Sequence, residues 1–198
     1  MRLVFVTPNS WNADEAQRLL AGLDVEFSRL ALPRADATSL DDVVRARVEA
    51  AWSALQRPCF VENAELCLDG EPPFTGAAFK KLHRELGDDG FCARFANRAG
   101  VTRVAVALKT SPTDVHLFTG RSEGLIVPSP RGSGGYGWDR LWQPDGYSQT
   151  VAELGDARFL VNMRQRPYLE LAAHVRGDGT PGYFEAHVTV KPCDVDSF

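Results

Sequence analysis

The chain has 198 residues, 44% of them apolar and 24% charged, with a formal net charge of -4. That length fits one domain, or a domain with lobes, and can bury roughly 70% of its unfolded surface without a disulfide or metal staple. The mild negative charge argues against general nucleic-acid binding, and no apolar run approaches the roughly 20 residues of a membrane span. Cys59, Cys67, Cys92 and Cys193 show no CxxC spacing, so reduced structural thiols are expected. The amino terminus turns polar at Thr7-Pro8-Asn9, too soon for a signal peptide, which makes a cytoplasmic protein without a membrane partner the expectation.

Leu3 to Val6 is a β-branched and aromatic run that predicts a buried strand, ending at Thr7-Pro8-Asn9-Ser10. Ser10 or Asn12 is placed to cap the helix that follows, with Leu19, Leu20 and Leu23 as its apolar stripe. Val25 to Leu30 alternates like a strand. Ser39 is a good N-cap, with Asp41 and Asp42 beside the positive end of a helix carrying Val43, Val44, Val48, Ala51, Trp52 and Leu55. Cys59-Phe60-Val61 predicts a second buried strand, which Cys67-Leu68 continues or returns from.

Glu71 to Gly76 is a turn-rich break, followed by helices over 77–86 and 91–97. Thr102 to Leu108 and Val115 to Thr119 read as a hairpin, and Ser122 to Val127 as a third strand. Pro128 to Gly137 is a glycine- and proline-rich loop. A helical stretch with interruptions runs from Thr150 to about His174, and 183–190 alternates like a last strand. Strands and helices interleave, so the class is α/β.

Three clusters have the residue types for chemistry. Pro130 to Asp139 combines glycines, whose backbone can approach a ligand closely, with Tyr136 and Trp138, which suit a planar base. Asp139 can accept hydrogen bonds from a base or ribose. Glu62, Asn63, Glu65 and Asp69 follow a buried strand, where α/β proteins place their sites, and carboxylates there serve as magnesium ligands or general bases. Thr7 and Asn9 precede a helix N-terminus that favours phosphate, although Pro8 spoils a glycine-rich phosphate loop. The four histidines are scattered, and no GxSxG or cysteine–histidine signature supports acyl transfer.

Taken in order, several segments resemble the inosine triphosphate pyrophosphatase family. They are Val4 to Asn9, Leu32-Pro33, Pro58 to Asn63, Phe118 to Ile126, Gly135-Tyr136-Gly137-Trp138-Asp139 and Gln143 to Leu154. The resemblance covers roughly residues 3–174 of a single domain spanning 1–198, with 183–190 as an extra C-terminal strand. It implies an elongated, twisted mixed sheet with flanking helices, two lobes around a central cleft, and a homodimer. It also implies a nucleotide or other phosphorylated small molecule as partner, and the release of pyrophosphate from non-standard purine triphosphates with Mg2+.

The departures are as informative as the matches. The family's first loop reads Thr-Gly-Asn, then a phosphate-contacting lysine; here those positions are Thr7, Pro8, Asn9 and Asn12. A magnesium-binding glutamate after the Leu-Pro pair is Arg34. A Glu-Asp or Asp-Asp pair, whose second member is the key carboxylate, is Glu62-Asn63. A lysine and then Ser-His-Arg, which clasp phosphate and purine, are Arg158 and Asn162-Met163-Arg164.

The candidates that follow are Glu62, Asn63 and Asp69 for catalysis. Thr7, Asn9, Asn12, Arg34, Arg47, Arg158 and Arg164 are the phosphate candidates, and Tyr136, Trp138, Asp139, Asn162 and Met163 those for the base. No metal ligand and no cofactor is expected, unless Glu62 holds magnesium. The expected function is a nucleotide-binding protein repurposed to act on a nucleotide or related phosphorylated base without carboxylate-held magnesium. An ordinary nucleoside triphosphate pyrophosphatase and a non-catalytic binding or regulatory subunit are the alternatives, so whether the chain is an enzyme stays open at this point.

Overall fold

Leu3 to Val6 are buried on both faces, and Arg2–Val6 forms strand β1. It pairs in parallel with β2, Asp24–Ser28, from Arg2 opposite Asp24 to Val6 opposite Ser28. Burial on both faces is the habit of a parallel strand covered by helices. The computed structural model describes residues 1–33, 35, 37 and 39–178. Arg34, Cys193 and the expected strand at 183–190 lie outside the described residues.

Helix α1 is Ser10–Leu19, and its cap is Asn9 rather than Ser10 or Asn12. Asn9 has the extended backbone a cap needs, and its side chain accepts from the Trp11 N–H at 3.1 Å. Asn12 spends its amide elsewhere, on Glu62. Helix α2, Leu40–Leu55, is capped by Ser39, which accepts from the Asp42 N–H at 3.1 Å as expected.

Strand β3 spans Cys59–Leu68 without a break. This corrects the placement of Glu62, Asn63 and Glu65 beyond a strand end: they sit inside the strand. Polar residues are tolerated there because the buried ones are partnered, Glu62 by Arg164 at 2.8 Å and Glu65 by Arg103 at 3.0 Å. Strand β4, Phe74–Thr75, pairs antiparallel with β3. Helix α3, Gly76–Phe95, merges the two expected helices and bends at Gly87, whose φ of 67° ends one helical run before Asp88 opens the next.

Strands β5, Ala99–Lys109, and β6, Val115–Ile126, follow. The two strands expected at 115–119 and 122–127 are one, because Gly120 carries the strand past the Met163 carbonyl with no side chain to obstruct it. Strand β7, Trp142–Pro144, was not expected and pairs antiparallel with β6. A 3-10 turn at Gly155–Leu160 leads to α4, Gln165–Arg176.

The strands form a seven-stranded sheet in the order β2-β1-β3-β5-β6-β7, with β4 beside β3. β1 runs parallel to β2 and β3, so the sheet is mixed, and the expected α/β class with flanking helices is the observed one. Among the described residues no helix is long and apolar enough to cross a membrane.

The chain divides into two compact units. The first holds 1–64, 104–120 and the helical segment from Met163; the second holds 65–103 and 121–162. In the first, Val4, Val6, Cys59, Val61, Ala105 and Ala107 pack on Leu40, Val44, Val48 and Ala51 of α2. Phe5 and Phe60 stack at 4.5 Å and both meet the edge of Tyr168 on α4. The core of the second unit joins Leu66, Phe79, Phe91, Phe95, Ile126, Leu141 and Trp142.

Candidate functional site

Alternation along β3 puts Glu62 on the same face as Phe60, toward α4, while Val61 faces α2. The Glu62 side chain is 2% exposed. A carboxylate in that position needs donors on both oxygens. It has them. Arg164 Nε donates to both Oε1 and Oε2 at 3.1 Å, and Nη2 to Oε1 at 2.8 Å. Tyr168 Oη donates to Oε2 at 2.7 Å, and Asn12 Nδ2 to Oε1 at 2.6 Å.

Each donor is itself held. Asn12 Oδ1 accepts from Asn9 Nδ2 at 2.7 Å, and Thr7 Oγ1 accepts from the Asn9 N–H at 3.2 Å. Arg164 Nη1 lies 3.3 Å from Glu15 Oε2. Burial works against the charge on Arg164, but Glu62 and Glu15 outweigh it and keep the guanidinium firmly protonated. Burial, reinforced by the Glu62 carboxylate, pushes the Tyr168 hydroxyl well above the usual phenol range, so it stays a donor.

Helix geometry assembles this set. Asn12 and Glu15 are three apart on α1, and Arg164 and Tyr168 are four apart at the start of α4, so each pair shares one helix face. Glu15 and Tyr168 escaped the sequence reading. The i, i+3 and i, i+4 spacings to Asn12 and Arg164 are the signal that marks them.

In the second unit, the glycine-rich loop folds around Asp139. Its Oδ2 accepts from the Tyr136 N–H at 2.9 Å and lies 3.8 Å from Arg158 Nη1. Gly135, at φ +89°, sits so close that a Cβ there would come within 2.5 Å of the Asp139 Cβ. Trp138 packs edge-on against Phe79 at 5.1 Å and 88°. Tyr136 is 39% exposed, with Lys80 Nζ 5.8 Å from its ring centre. The Asn162 N–H donates to the Arg158 carbonyl at 2.8 Å.

Residues 3–171 match the model of the Ham1 family. The chain belongs to the Ham1 family. Inosine triphosphate pyrophosphatase 2 of Trypanosoma cruzi (strain CL Brener) is 31% identical to this Ham1 chain over 179 residues, covering 87% of it and 91% of the relative. The dITP/XTP pyrophosphatase of Thermococcus kodakarensis is 32% identical over 161 residues, covering 78% and 85%. The HAM1 protein of Coxiella burnetii superposes with a TM-score of 0.69 at 18% identity, over 89% of this chain and 99% of that one, which speaks for the fold. The resemblance to the inosine triphosphate pyrophosphatase family is borne out.

Of the residues singled out in this Ham1 chain, Thr7, Asn9, Asn12, Glu62 and Arg164 meet in the first unit through the bonds above. Asn63 is half-buried inside β3. Arg47 lies on α2, where burial lowers its pKa and its Nε has no partner among the described residues. Met163 is buried, with its carbonyl against Gly120. In the second unit Tyr136, Asp139, Arg158 and Asn162 are tied as described. Asp69 is exposed in the turn after β3, with its carbonyl accepting from Arg98 at 2.9 Å. Arg34 lies outside the described residues. Among the described residues no three or more His, Cys, Asp and Glu side chains are grouped to hold a metal ion.

Proposed function

We propose that this chain binds a nucleotide or a related phosphorylated base, and acts on it without carboxylate-held magnesium. The observation that carries the reading is the closed hydrogen-bond set on Glu62. Magnesium takes hard oxygen ligands with lone pairs to offer. Here both oxygens of Glu62 are engaged by Arg164, Tyr168 and Asn12. Releasing Arg164 to admit a cation would leave a buried guanidinium beside that cation. Asn63, at the family's key carboxylate position, is an amide that takes no proton, so general-base help worth roughly 10²–10⁴-fold is absent there. These residues do not fit the ion, and no step of the reading runs through it.

Tyr136, Trp138 and Asp139 present aromatic faces and a hydrogen-bond acceptor suited to a base, with Asn162 and Arg158 beside them and Met163 following Asn162 in the chain. Thr7 and Asn9 stand at the amino end of α1, where the positive end of the helix dipole favours an anion, and Arg47 on α2 and Arg34 are the further cationic candidates the sequence offers. Arg164, expected from the resemblance to meet phosphate, is ion-paired with Glu62 and Glu15. Glu62 then serves as the buried anchor of that set, and Asp69 is the exposed carboxylate left for acid–base work. The reading also takes from the resemblance a single domain and a homodimer, which sedimentation at micromolar concentration checks.

Relatives named inosine triphosphate pyrophosphatase and dITP/XTP pyrophosphatase make purine nucleotides the first ligands to try. They also keep ordinary pyrophosphatase activity as the alternative. Calorimetric titration with inosine mono- and triphosphate in EDTA is expected to show binding. No heat at millimolar nucleotide would end the reading in favour of a scaffold. A pyrophosphate-release assay with magnesium is expected to show trace turnover. A rate on the order of 10 per second, ordinary for an enzyme, would establish the alternative.

A further inference from the structure

A second polar cluster lies apart from Glu62, in the second unit, and nothing in the reading above uses it. Asp88 opens the run of α3 after the Gly87 bend, and His83 lies in the run before it. His83 Nε2 donates to Asp88 Oδ1, since a carboxylate only accepts. Arg140, in the turn just after the glycine-rich loop, donates to Asp88 Oδ2 through Nη1. The Asp88 side chain is only 20% exposed, so this one carboxylate binds two partners in a partly desolvated place.

Arg140 makes a second bond, from Nε to the Gly132 carbonyl at 2.9 Å. One guanidinium therefore joins α3 to the backbone of the loop. An aromatic route runs beside the ionic one. His83 stacks flat on Phe79 at 5.2 Å and 14°, and Phe79 meets the edge of Trp138. Trp138 lies two residues before Arg140, so the contacts close a ring: Trp138, Phe79, His83, Asp88, Arg140. On its other side the loop is pinned where Thr150 Oγ1 donates to the Arg131 carbonyl at 3.1 Å. A Cβ at Gly132 would come within 2.9 Å of Ala152, so backbone there runs against backbone.

We propose that His83, Asp88 and Arg140 are positioning residues for the base-binding loop: they tie it across the bend of α3 and fix Trp138 and Asp139 before a ligand arrives. The inference rests on the nucleotide-binding reading and deepens it. A loop rich in glycine loses much conformational entropy when it orders. If the folded protein has already ordered the loop, the ligand meets a smaller cost and binds more tightly. An isolated exposed ion pair contributes little, but this one spans two elements and shares a carboxylate between two donors.

Amide hydrogen exchange on the full chain, free of ligand, reads the tether directly. Arg140→Met keeps the aliphatic stem and removes both bonds, and Asp88→Ala removes the shared acceptor. Each is expected to speed exchange over residues 131–139 about tenfold, the equivalent of one ordinary hydrogen bond. The double variant should add little to either single change, because both break one linkage. Arg140→Lys reaches one partner at a time and should restore part of the protection. Affinity for inosine monophosphate in EDTA should fall about tenfold in Arg140→Met. Unchanged loop exchange in Arg140→Met overturns the tether, even where Asp88→Ala disturbs α3. Faster exchange with unchanged affinity overturns its link to the ligand. A wild-type chain that binds no nucleotide ends the functional reading, and the exchange comparison then decides the tether by itself.

Discussion

Glu62 shows how much one buried carboxylate can determine. Its partners come from α1 and α4, 50 residues before it and about a hundred after. Removing a partner from such a set costs more than the net worth of the bond, because the group left behind stays desolvated. Tyr168→Phe removes one donor and leaves Arg164 in place, so a loss of about 1–3 kcal/mol is expected in urea unfolding. Arg164→Ala strips the cation from two carboxylates, Glu62 and Glu15, and should lose about 3–5 kcal/mol, the usual cost of breaking a buried pair. The double variant should fall short of the sum, since the two side chains serve the same oxygens. Purely additive losses would show that Tyr168 and Arg164 act independently of Glu62.

At the scale of elements, the contact between β6 and the start of α4 decides where that set sits. A Cβ on Gly120 would lie 1.9 Å from the Met163 carbonyl and 2.6 Å from Pro167 Cδ. Backbone and a proline ring cannot step aside as a flexible side chain would. Gly120→Ala must therefore move the amino end of α4, and Arg164 with it. Overpacking of this kind costs about 1–3 kcal/mol, and a matching drop in thermal midpoint is expected. A midpoint within a degree of wild type would mean that α4 has room to shift. The cap of α2 offers a milder comparison: Ser39→Ala removes the oxygen that accepts from the Asp42 N–H and should cost about 1 kcal/mol. The bend in α3 belongs to this scale too. Gly87 is the element's breaking point, and the cluster of His83, Asp88 and Arg140 gathers around the break.

For the molecule as a whole, pH is an accessible lever. The His174 and His116 rings lie 4.1 Å apart. Partial burial lowers the His174 pKa, and the neighbouring His116 lowers it further. The folded state thus disfavours the imidazolium more than the unfolded chain does. The contribution is complete above the ordinary imidazole value and is lost as pH falls below it. Thermal midpoints between pH 7.5 and 5.5 should decline on acidification, and His174→Gln should flatten part of that decline. Parallel curves for the two proteins would remove His174 from the account. The same environment logic governs the thiols. Burial pushes Cys59 and Cys92 up to about 11, so in the folded chain they should react with a thiol reagent at pH 8 far more slowly than after unfolding.

Local pattern was enough to read Leu3 to Val6 as a buried strand, Ser39 as a cap and Pro128 to Gly137 as a loop, because each follows from spacing and backbone preference within a few residues. The interleaving of strand and helix patterns carried the α/β class, and the ordered motifs carried the family. What local pattern could not carry was any choice that depends on a distant partner. Glu62 and Asn63 read as a strand end until Arg164 and Tyr168 supplied donors that let the strand continue. Thr119 to Ser122 read as a break until the Met163 carbonyl occupied the space above Gly120. The resemblance marked Arg164 for phosphate, but nothing in its neighbourhood along the chain announces the ion pairs with Glu62 and Glu15, which β3 and α1 bring to it. Periodicity and capping are properties of neighbours in sequence and are written there. Which donor meets which buried charge is a property of neighbours in space, and only the packing of helices on the sheet decided it.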